Sequence, residues 1–167
     1  MDAPVLIEPY DPAWPALFLE ERDALTRVLE PWLAGRIEHV GSTAVPGLPA
    51  KPVIDIMAPV ESLEASRPAL AALEGLGYRY APYKPEAMHW LCKPGFEHRT
   101  HHLHLVPVDS ALWRDRLAFR DLLVSDASIA REYVALKYRL AALHRNDRER
   151  YTEEKGPFIA RALRASR

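Results

Sequence analysis

A strand-turn-strand pattern in the first third of the chain constrains the fold more than any other feature of the sequence. Two apolar runs typical of strands, 37–40 and 53–57, enclose a loop at 41–52 that is rich in Gly, Pro and small residues. Asp55 stands between two isoleucines in the second run, and an acid in a buried strand needs a cation or a hydrogen-bond donor as its partner. We therefore expect the two strands to be neighbours in one sheet, with the Gly-Ser turn that opens the loop facing the same cavity as the Asp55 carboxylate.

The loop carries groups that suit phosphate binding. Gly41 lets a ligand approach the backbone closely, and Ser42 and Thr43 offer hydroxyls and amides to phosphate oxygens. Lys51 adds a positive charge. In the alternative interpretation the loop is a tight turn in which Asp55 accepts hydrogen bonds from backbone amides, and the residues alone leave both interpretations open.

The remaining periodicity predicts the fold class. Apolar spacing predicts strands at 78–80, 88–92 and 101–108, a turn at 93–95, and helices at 11–33, at 62–76 and, in three segments, from 109 to 163. Pro59 is expected to end the strand that carries Asp55, and Gly156-Pro157 is a candidate break in the last helix. Strands in the middle of the chain with helices at both ends predict an α+β sheet with helices on one side.

Bulk properties narrow the functional classes. A length of 167 residues suits a single domain, 1–167, and a net charge of -1 gives no strong signal for nucleic-acid binding. The one cysteine, Cys92, excludes an intrachain disulfide and is expected to be a buried strand residue rather than a nucleophile. The sequence shows no signal-like start and no apolar run long enough to cross a bilayer, so we expect a cytoplasmic protein with no membrane partner.

The loop and its flanking strands, 38–56, closely resemble the signature of the GrpB family, which is assigned to the nucleotidyltransferase-fold superfamily. The resemblance covers nearly the whole chain and implies a nucleotidyltransferase-like mixed β-sheet with helices packed mainly on one face and a helical C-terminal part. In some bacteria a GrpB-like domain is fused to dephospho-coenzyme A kinase, which hints at nucleotides. The other matching positions are Trp14, Leu103-His104-Leu105, Phe119-Arg120-Asp121, Tyr133 with Lys137, and Tyr151 with Lys155.

The superfamily pattern implies roles for individual residues. Its members have a strand ending in Gly-Ser or Gly-Gly, a second strand with two acids one residue apart, and a third acid on a later strand. By this resemblance Asp55 takes the place of the first acid and Met57 that of the second. Residues two apart share a strand face, so Met57 is expected on the Asp55 side, but a thioether cannot ligate magnesium. The chain therefore departs from the donor set of ordinary two-metal transfer.

Histidines occupy the strand where the third acid would lie. His102 and His104 share one face of the strand, whereas His101 points to the other. Imidazoles suit zinc, manganese, iron or nickel better than magnesium. We predict that His104, with Asp55, has a catalytic or metal-ligating role towards a divalent ion, Mg or Mn, whereas His101 and His102 face water.

Two tyrosine-lysine pairs lie in the helical half. Tyr133 with Lys137, and Tyr151 with Lys155, have i,i+4 spacing, which places each pair on one helix face. The resemblance implies that these pairs and Arg120 form a cationic wall that faces Asp55 and binds substrate. The alternative is a set of surface lysines and core-edge tyrosines.

These expectations lead to one main hypothesis and two alternatives. The resemblance implies a nucleotidyltransferase-superfamily protein that binds a nucleotide or other phosphorylated small molecule, with a divalent metal. Because Met57 replaces the second acid, the chain is alternatively a non-catalytic nucleotide- or metal-binding module. A domain that binds a protein partner is the other alternative.

Overall fold

A five-stranded mixed sheet lies at the centre of the computed structural model, which describes residues 3–167. The strands lie in the order β1-β2-β5-β4-β3, and β2 and β5 are parallel whereas the other neighbours are antiparallel. The strands are β1 (Glu38–Val40), β2 (Ile54–Val60), β3 (Arg79–Ala81), β4 (His89–Pro94) and β5 (Arg99–Pro107). The expected pairing of the two strands around the loop is confirmed, since Val40 lies opposite Asp55.

Seven α-helices are found among residues 3–167, in addition to short 3-10 turns at Glu30–Trp32 and Ser42–Ala44. The helices are α1 (Trp14–Leu29), α2 (Leu63–Ser66), α3 (Ala69–Glu74), α4 (Ala111–Ser125), α5 (Ala127–Leu143), α6 (Arg148–Glu153) and α7 (Gly156–Ala165). Within the described part of the chain, no helix combines the length and the apolar character that a membrane span requires.

Alternation along β2 divides the sheet into two different faces. Ile54, Ile56 and the residues that follow at alternate positions pack under α1 and α3 in the main apolar core. Asp55 and Met57 point to the opposite face, where α4 covers part of the sheet. The predicted α+β class, with a mixed sheet and a helical C-terminal part, is confirmed, but helices contact both faces of the sheet rather than mainly one.

Prolines account for most of the errors in element boundaries. The prediction that Pro59 ends β2 is wrong, because β2 continues to Val60. β1 pairs with β2 only up to Met57, so beyond that point β2 needs no N–H to bond to β1, and proline is tolerated. The predicted turn at 93–95 is also wrong at its start, since β4 continues to Pro94 opposite Arg99.

Two predicted helices are divided in the structure. The expected helix over 62–76 becomes α2 and α3, because Pro68 lies between them and cannot donate a helical hydrogen bond. At the C-terminal end, α6 ends at Glu153 and α7 begins at Gly156, followed by Pro157, so the predicted break is present.

Candidate functional site

Strand register brings one carboxylate and two imidazoles together on the α4 side of the sheet. Asp55 lies opposite His102 in the parallel β2–β5 pair, and Met57 lies opposite His104. The Asp55 Oδ1 atom is 3.1 Å from Nδ1 of His102 and 3.5 Å from Nε2 of His104. One ligand atom from each of the three residues lies within 4.8 Å of the others. The cluster therefore spans the two central strands.

The positions of the three neighbouring histidines differ from the prediction in two cases. His104 is buried beside Asp55, as expected. His101 points to the opposite face, as expected, but its side chain is 14% exposed and its Nε2 atom lies 4.0 Å from Glu21, so the expectation that it faces water is wrong. The expectation that His102 faces water is wrong, because the β2–β5 register places its ring against Asp55 and the indole of Trp90.

Burial and mutual contact set the charge of the cluster. Burial alone would raise the pKa of the Asp55 carboxyl, but hydrogen bonds from His102 and His104 hold that pKa well below its usual range. Burial, with the nearby Arg116, lowers the pKa of His104 to about 3. Burial also lowers the pKa of His102, against the opposing influence of Asp55. At neutral pH the cluster therefore consists of a carboxylate and two neutral imidazoles.

The Gly41 turn abuts this cluster. Gly41 has a φ of 73°, which favours glycine, and a Cβ built there would lie 2.6 Å from Oδ2 of Asp55. The turn and the carboxylate thus share one space, as predicted. The side chain of Thr43, however, is buried: its hydroxyl donates to the Val53 carbonyl at 3.1 Å and lies 3.0 Å from Nε2 of His39. The expectation that the Thr43 hydroxyl contacts phosphate is therefore wrong, because the hydroxyl holds the loop together.

Lys137 connects the C-terminal helices to the loop. Its side chain is 1% exposed, and its ammonium donates to the Ser42 hydroxyl at 3.0 Å and to the Pro49 carbonyl. The same ammonium lies 5.1 Å from the centre of the Tyr133 ring. The predicted pair Tyr133 and Lys137 therefore reaches the Gly-Ser turn.

Two further lysines lie close to one aromatic ring, that of Tyr151. The Lys155 ammonium is 4.4 Å from the centre of the Tyr151 ring, and the Lys51 ammonium is 4.9 Å from it. Burial lowers the pKa of Lys51 to about 7 and that of Lys155 to about 8, and it lowers the pKa of Lys137 to about 7. Repulsion from Lys155 contributes for Lys51 and Lys137. No salt bridge joins these three lysines to any residue between 3 and 167.

The two tyrosines contribute polarity without charge. Burial raises the pKa of Tyr133, although a hydrogen bond with Ser42 opposes that shift, and burial raises the pKa of Tyr151. Both phenols therefore stay protonated at neutral pH and can hydrogen bond to an anion without repelling it.

Arg120 has a different place from the one expected. Its guanidinium bonds to Glu38 at 2.8 Å and to the His39 carbonyl at 3.1 Å, and it also pairs with Asp121 at 2.8 Å. The expectation that Arg120 joins a cationic wall facing Asp55 is wrong, because two carboxylates already neutralise it. Its contacts instead fix α4 against β1.

Two arginines near the cluster were not predicted. Asp55 influences the pKa of Arg116, which burial lowers, and an Arg116 Nη2 atom lies 3.8 Å from the sulfur of Met88. The Arg99 guanidinium lies 5.2 Å from the centre of the Trp90 ring and contributes positive potential at His102. The sequence does not distinguish these two arginines from the other basic residues, because the chain contains 22 lysines and arginines.

The position of the second acid belongs to an apolar cluster. Met57 has no exposed surface and shares the Asp55 face of β2, as predicted. The buried residues around it are Val40, Met88, Trp90, Cys92 and Val106. Cys92 is therefore a buried strand residue, as expected, and no oxygen ligand is available at position 57.

Comparison with protein families and curated proteins gives consistent relationships. The profile of the GrpB protein family matches residues 4–165. A UPF0157 protein of Pseudomonas aeruginosa is 42% identical over 97% of this chain and 67% of its own length. A dephospho-CoA kinase of Mycolicibacterium paratuberculosis is 31% identical over 97% of this chain and 46% of its own length. The UPF0157 protein YqkA of Bacillus subtilis is 33% identical over 92% of this chain, but the match spans only 44% of that relative's length.

Two solved structures share the fold. The crystal structure of a GrpB protein from Enterococcus faecalis superimposes with a TM-score of 0.83 at 33% identity, covering 96% of this chain and 99% of that one. The Cid1 poly(U) polymerase with MgGTP bound superimposes with a TM-score of 0.54 at 15% identity, covering 81% of this chain and 44% of that one. The second likeness shows a nucleotidyltransferase-like fold.

Proposed function

We propose, from the premise that this chain belongs to the GrpB family, that it binds the phosphate groups of a nucleotide or other phosphorylated small molecule. The binding surface, which we call the lysine surface, consists of Ser42, Lys51, Lys137 and Lys155. The Gly41 turn and Asp55 border it.

The observation that carries this proposal is the concentration of three ammonium groups without salt-bridge partners, on the buried Lys137 and the half-buried Lys51 and Lys155. Lys51 and Lys155 share the Tyr151 ring, and Lys137 is close enough to Lys155 for repulsion to lower its pKa. Unpaired cations that repel one another are costly to bury. A polyanionic ligand would supply the missing negative charge, and two phosphate groups would suit three ammonium groups better than one carboxylate would.

The turn adds hydrogen-bond donors to that positive charge. Ser42 already contacts Lys137, so an oxygen bound by the ammonium can also reach the Ser42 hydroxyl and the backbone of the turn. The protonated phenols of Tyr133 and Tyr151 lie beside the same lysines. Nucleotides are the first class to test, because one relative is named a dephospho-CoA kinase and the fold is shared with a poly(U) polymerase.

Binding is proposed rather than ordinary nucleotidyl transfer because of Met57. The usual transfer mechanism uses two metal ions that share carboxylates. Position 57 holds a methionine in an apolar cluster with no exposed surface, so Asp55 is the one carboxylate of the expected acid pair. That feature favours the binding-module alternative over two-metal catalysis.

The test is calorimetric titration with pyrophosphate, ATP, GTP, CTP and UTP in the presence of chelator. Lys137→Met keeps most of the side-chain volume but removes the ammonium, and we expect it to weaken binding about 10- to 100-fold. Arg161→Met is the matched control, because Arg161 is an exposed cation that also lies over a ring, 5.3 Å from the centre of Phe158. Equal affinities for the two variants, or no binding of any of the five compounds by the unmodified chain, would refute the proposal.

A further inference from the structure

We propose that Asp55, His102 and His104 form a centre for one divalent transition-metal ion, of the class Mn, Fe, Co, Ni or Zn, rather than part of a magnesium pair. We call these three residues the metal triad. The proposal does not rest on phosphate binding and can be tested with metal alone.

A pair of magnesium ions does not fit the residues present. Magnesium demands oxygen ligands in near-octahedral geometry and is normally bound through carboxylates and water. In this chain the position of the second acid holds the buried thioether of Met57, and the neighbouring strand supplies imidazoles. Among residues 3–167, the one group of three close metal-ligating side chains that includes Asp55 contains no second carboxylate.

The donor set suits a different class of ion. Two imidazole nitrogens and one carboxylate oxygen favour transition metals, because nitrogen ligands raise affinity for these ions relative to magnesium. The side chain of Asp55 is 29% exposed, whereas those of His102 and His104 are 13% and 7% exposed. Solvent therefore reaches the triad from the carboxylate side, where an ion can enter and keep open positions.

The distances are close to those of a mononuclear site. With bonds of about 2.1 Å, two ligand atoms lie about 3.0 Å apart at a right angle and about 3.4 Å apart at the tetrahedral angle. Asp55 Oδ1 lies 3.1 Å from His102 Nδ1 and 3.5 Å from His104 Nε2. The ligands stand on the paired central strands β2 and β5, so their backbone positions are held by the sheet.

The outer contacts of the imidazoles also fit. When an ion replaces the hydrogen bond from His104 Nε2 to Asp55, the ring proton moves to Nδ1, which lies 3.3 Å from the sulfur of Met88, an acceptor. Asp55 is the one hydrogen-bond partner of His102 within residues 3–167, and the other ring nitrogen of His102 is buried without a partner. A cation between the three groups would replace the two hydrogen bonds from the imidazoles to the carboxylate.

Nearby cations limit how tightly a lone ion binds. Arg116 influences His104, and Lys51 and Arg99 influence His102, all with positive charge. A divalent ion must overcome that repulsion, so we expect weaker binding than in a closed structural zinc site.

The experiment uses the full chain, stripped with chelator and titrated with Mn²⁺ and with Co²⁺. Binding is followed by loss of the free Mn²⁺ electron paramagnetic resonance signal and by the visible absorption of Co²⁺. We expect one ion per chain, imidazole nitrogen couplings in the pulsed spectrum of bound Mn²⁺, and no displacement by an equal concentration of Mg²⁺.

Variants identify the ligands. His102→Ala and His104→Gln should each weaken Mn²⁺ binding at least tenfold. The control His101→Ala should leave Mn²⁺ binding unchanged, because His101 is adjacent in sequence but lies on the opposite face of β5. Circular dichroism checks that each variant is folded, and the nitrogen couplings of the unmodified chain test the ligands even if a variant unfolds. Mg²⁺ binding as tight as Mn²⁺ binding, a bound ion without nitrogen couplings, or no ion bound would overturn the metal proposal and leave the pyrophosphate test unaffected.

Discussion

Adding one methyl group at Gly41 should disable the site, because the methyl group would displace the Asp55 carboxylate. Two costs are expected for Gly41→Ala. The φ of 73° and ψ of -174° place alanine in a region open essentially to glycine alone, which costs about 1–3 kcal/mol. The new Cβ would also lie 2.6 Å from Oδ2 of Asp55 and 3.0 Å from its Cβ. The first cost is common to any such turn, but the second is specific to this carboxylate.

The displacement of Asp55 follows from the contact distance. Ordinary carbon-oxygen contacts begin at about 3.4 Å, so the carboxylate must move by about 0.8 Å. Asp55 on β2 lies between Gly41, at the end of β1, and His102 on β5, so a shift of that size away from the new methyl group crowds His102 and disrupts their 3.1 Å hydrogen bond. Losing a buried hydrogen bond of this kind costs about 1–3 kcal/mol, and phosphate and metal binding should weaken at least tenfold.

Gly47→Ala is a matched control in the same loop. Gly47 has a φ of 79°, but a Cβ at that position meets no atom within 4 Å. Backbone strain alone should therefore lower its melting temperature by about 2–8 °C and leave ligand binding intact. Denaturant unfolding gives the two stabilities, and calorimetry with pyrophosphate and Mn²⁺ gives the affinities. If the two variants had equal stability and equal affinity, the close approach of Gly41 to Asp55 would have no role in the site.

Two further predictions concern the buried side chains around the site. Met57→Asp should lower the free energy of unfolding by about 3–5 kcal/mol, because it buries a carboxylate in an apolar cluster. The control Met57→Leu should lower it by less than about 1.5 kcal/mol. A stable Met57→Asp chain with tighter Mn²⁺ binding would show instead that position 57 can serve as a second acid. The free energy of unfolding should rise with pH between about 7 and 9, because Lys51 and Lys137 have a pKa of about 7 when folded and an ordinary value of 10.5. The unfolded chain therefore binds more protons in that window, where most tyrosines are still protonated. Denaturant titrations at three pH values should give a smaller slope for Lys137→Met, and an unchanged slope would contradict the assigned pKa.

The sequence was informative about the strands around the loop and less so about their partners across the sheet. The Gly-Ser turn, the lone acid and the two-residue alternation were sufficient to place Gly41, Asp55 and Met57 relative to one another. The position of His102 depended on the parallel register of β2 with β5, which involves segments about 45 residues apart and leaves no local signal.

Other errors came from partners that compete with a ligand. Thr43 and Arg120 have chemistry suited to phosphate, but the Val53 carbonyl and Glu38 satisfy them within the fold. Residue type alone cannot show whether a donor is already occupied. Lys137 could be paired with Tyr133 from helical spacing, whereas its contact with Ser42 required the packing of α5 against the loop.

The strand order gives the two halves of the site different local stabilities. β2 and β5 are interior strands with neighbours on both sides, whereas β1 is a three-residue strand at the edge of the sheet. Local opening starts at edges and loops, so amide hydrogens near Gly41 should exchange with solvent faster than those of β2 and β5. The imidazole and carboxylate groups would then keep their arrangement through fluctuations that release the turn, and a ligand could enter or leave by opening the edge of the sheet while the centre stays folded.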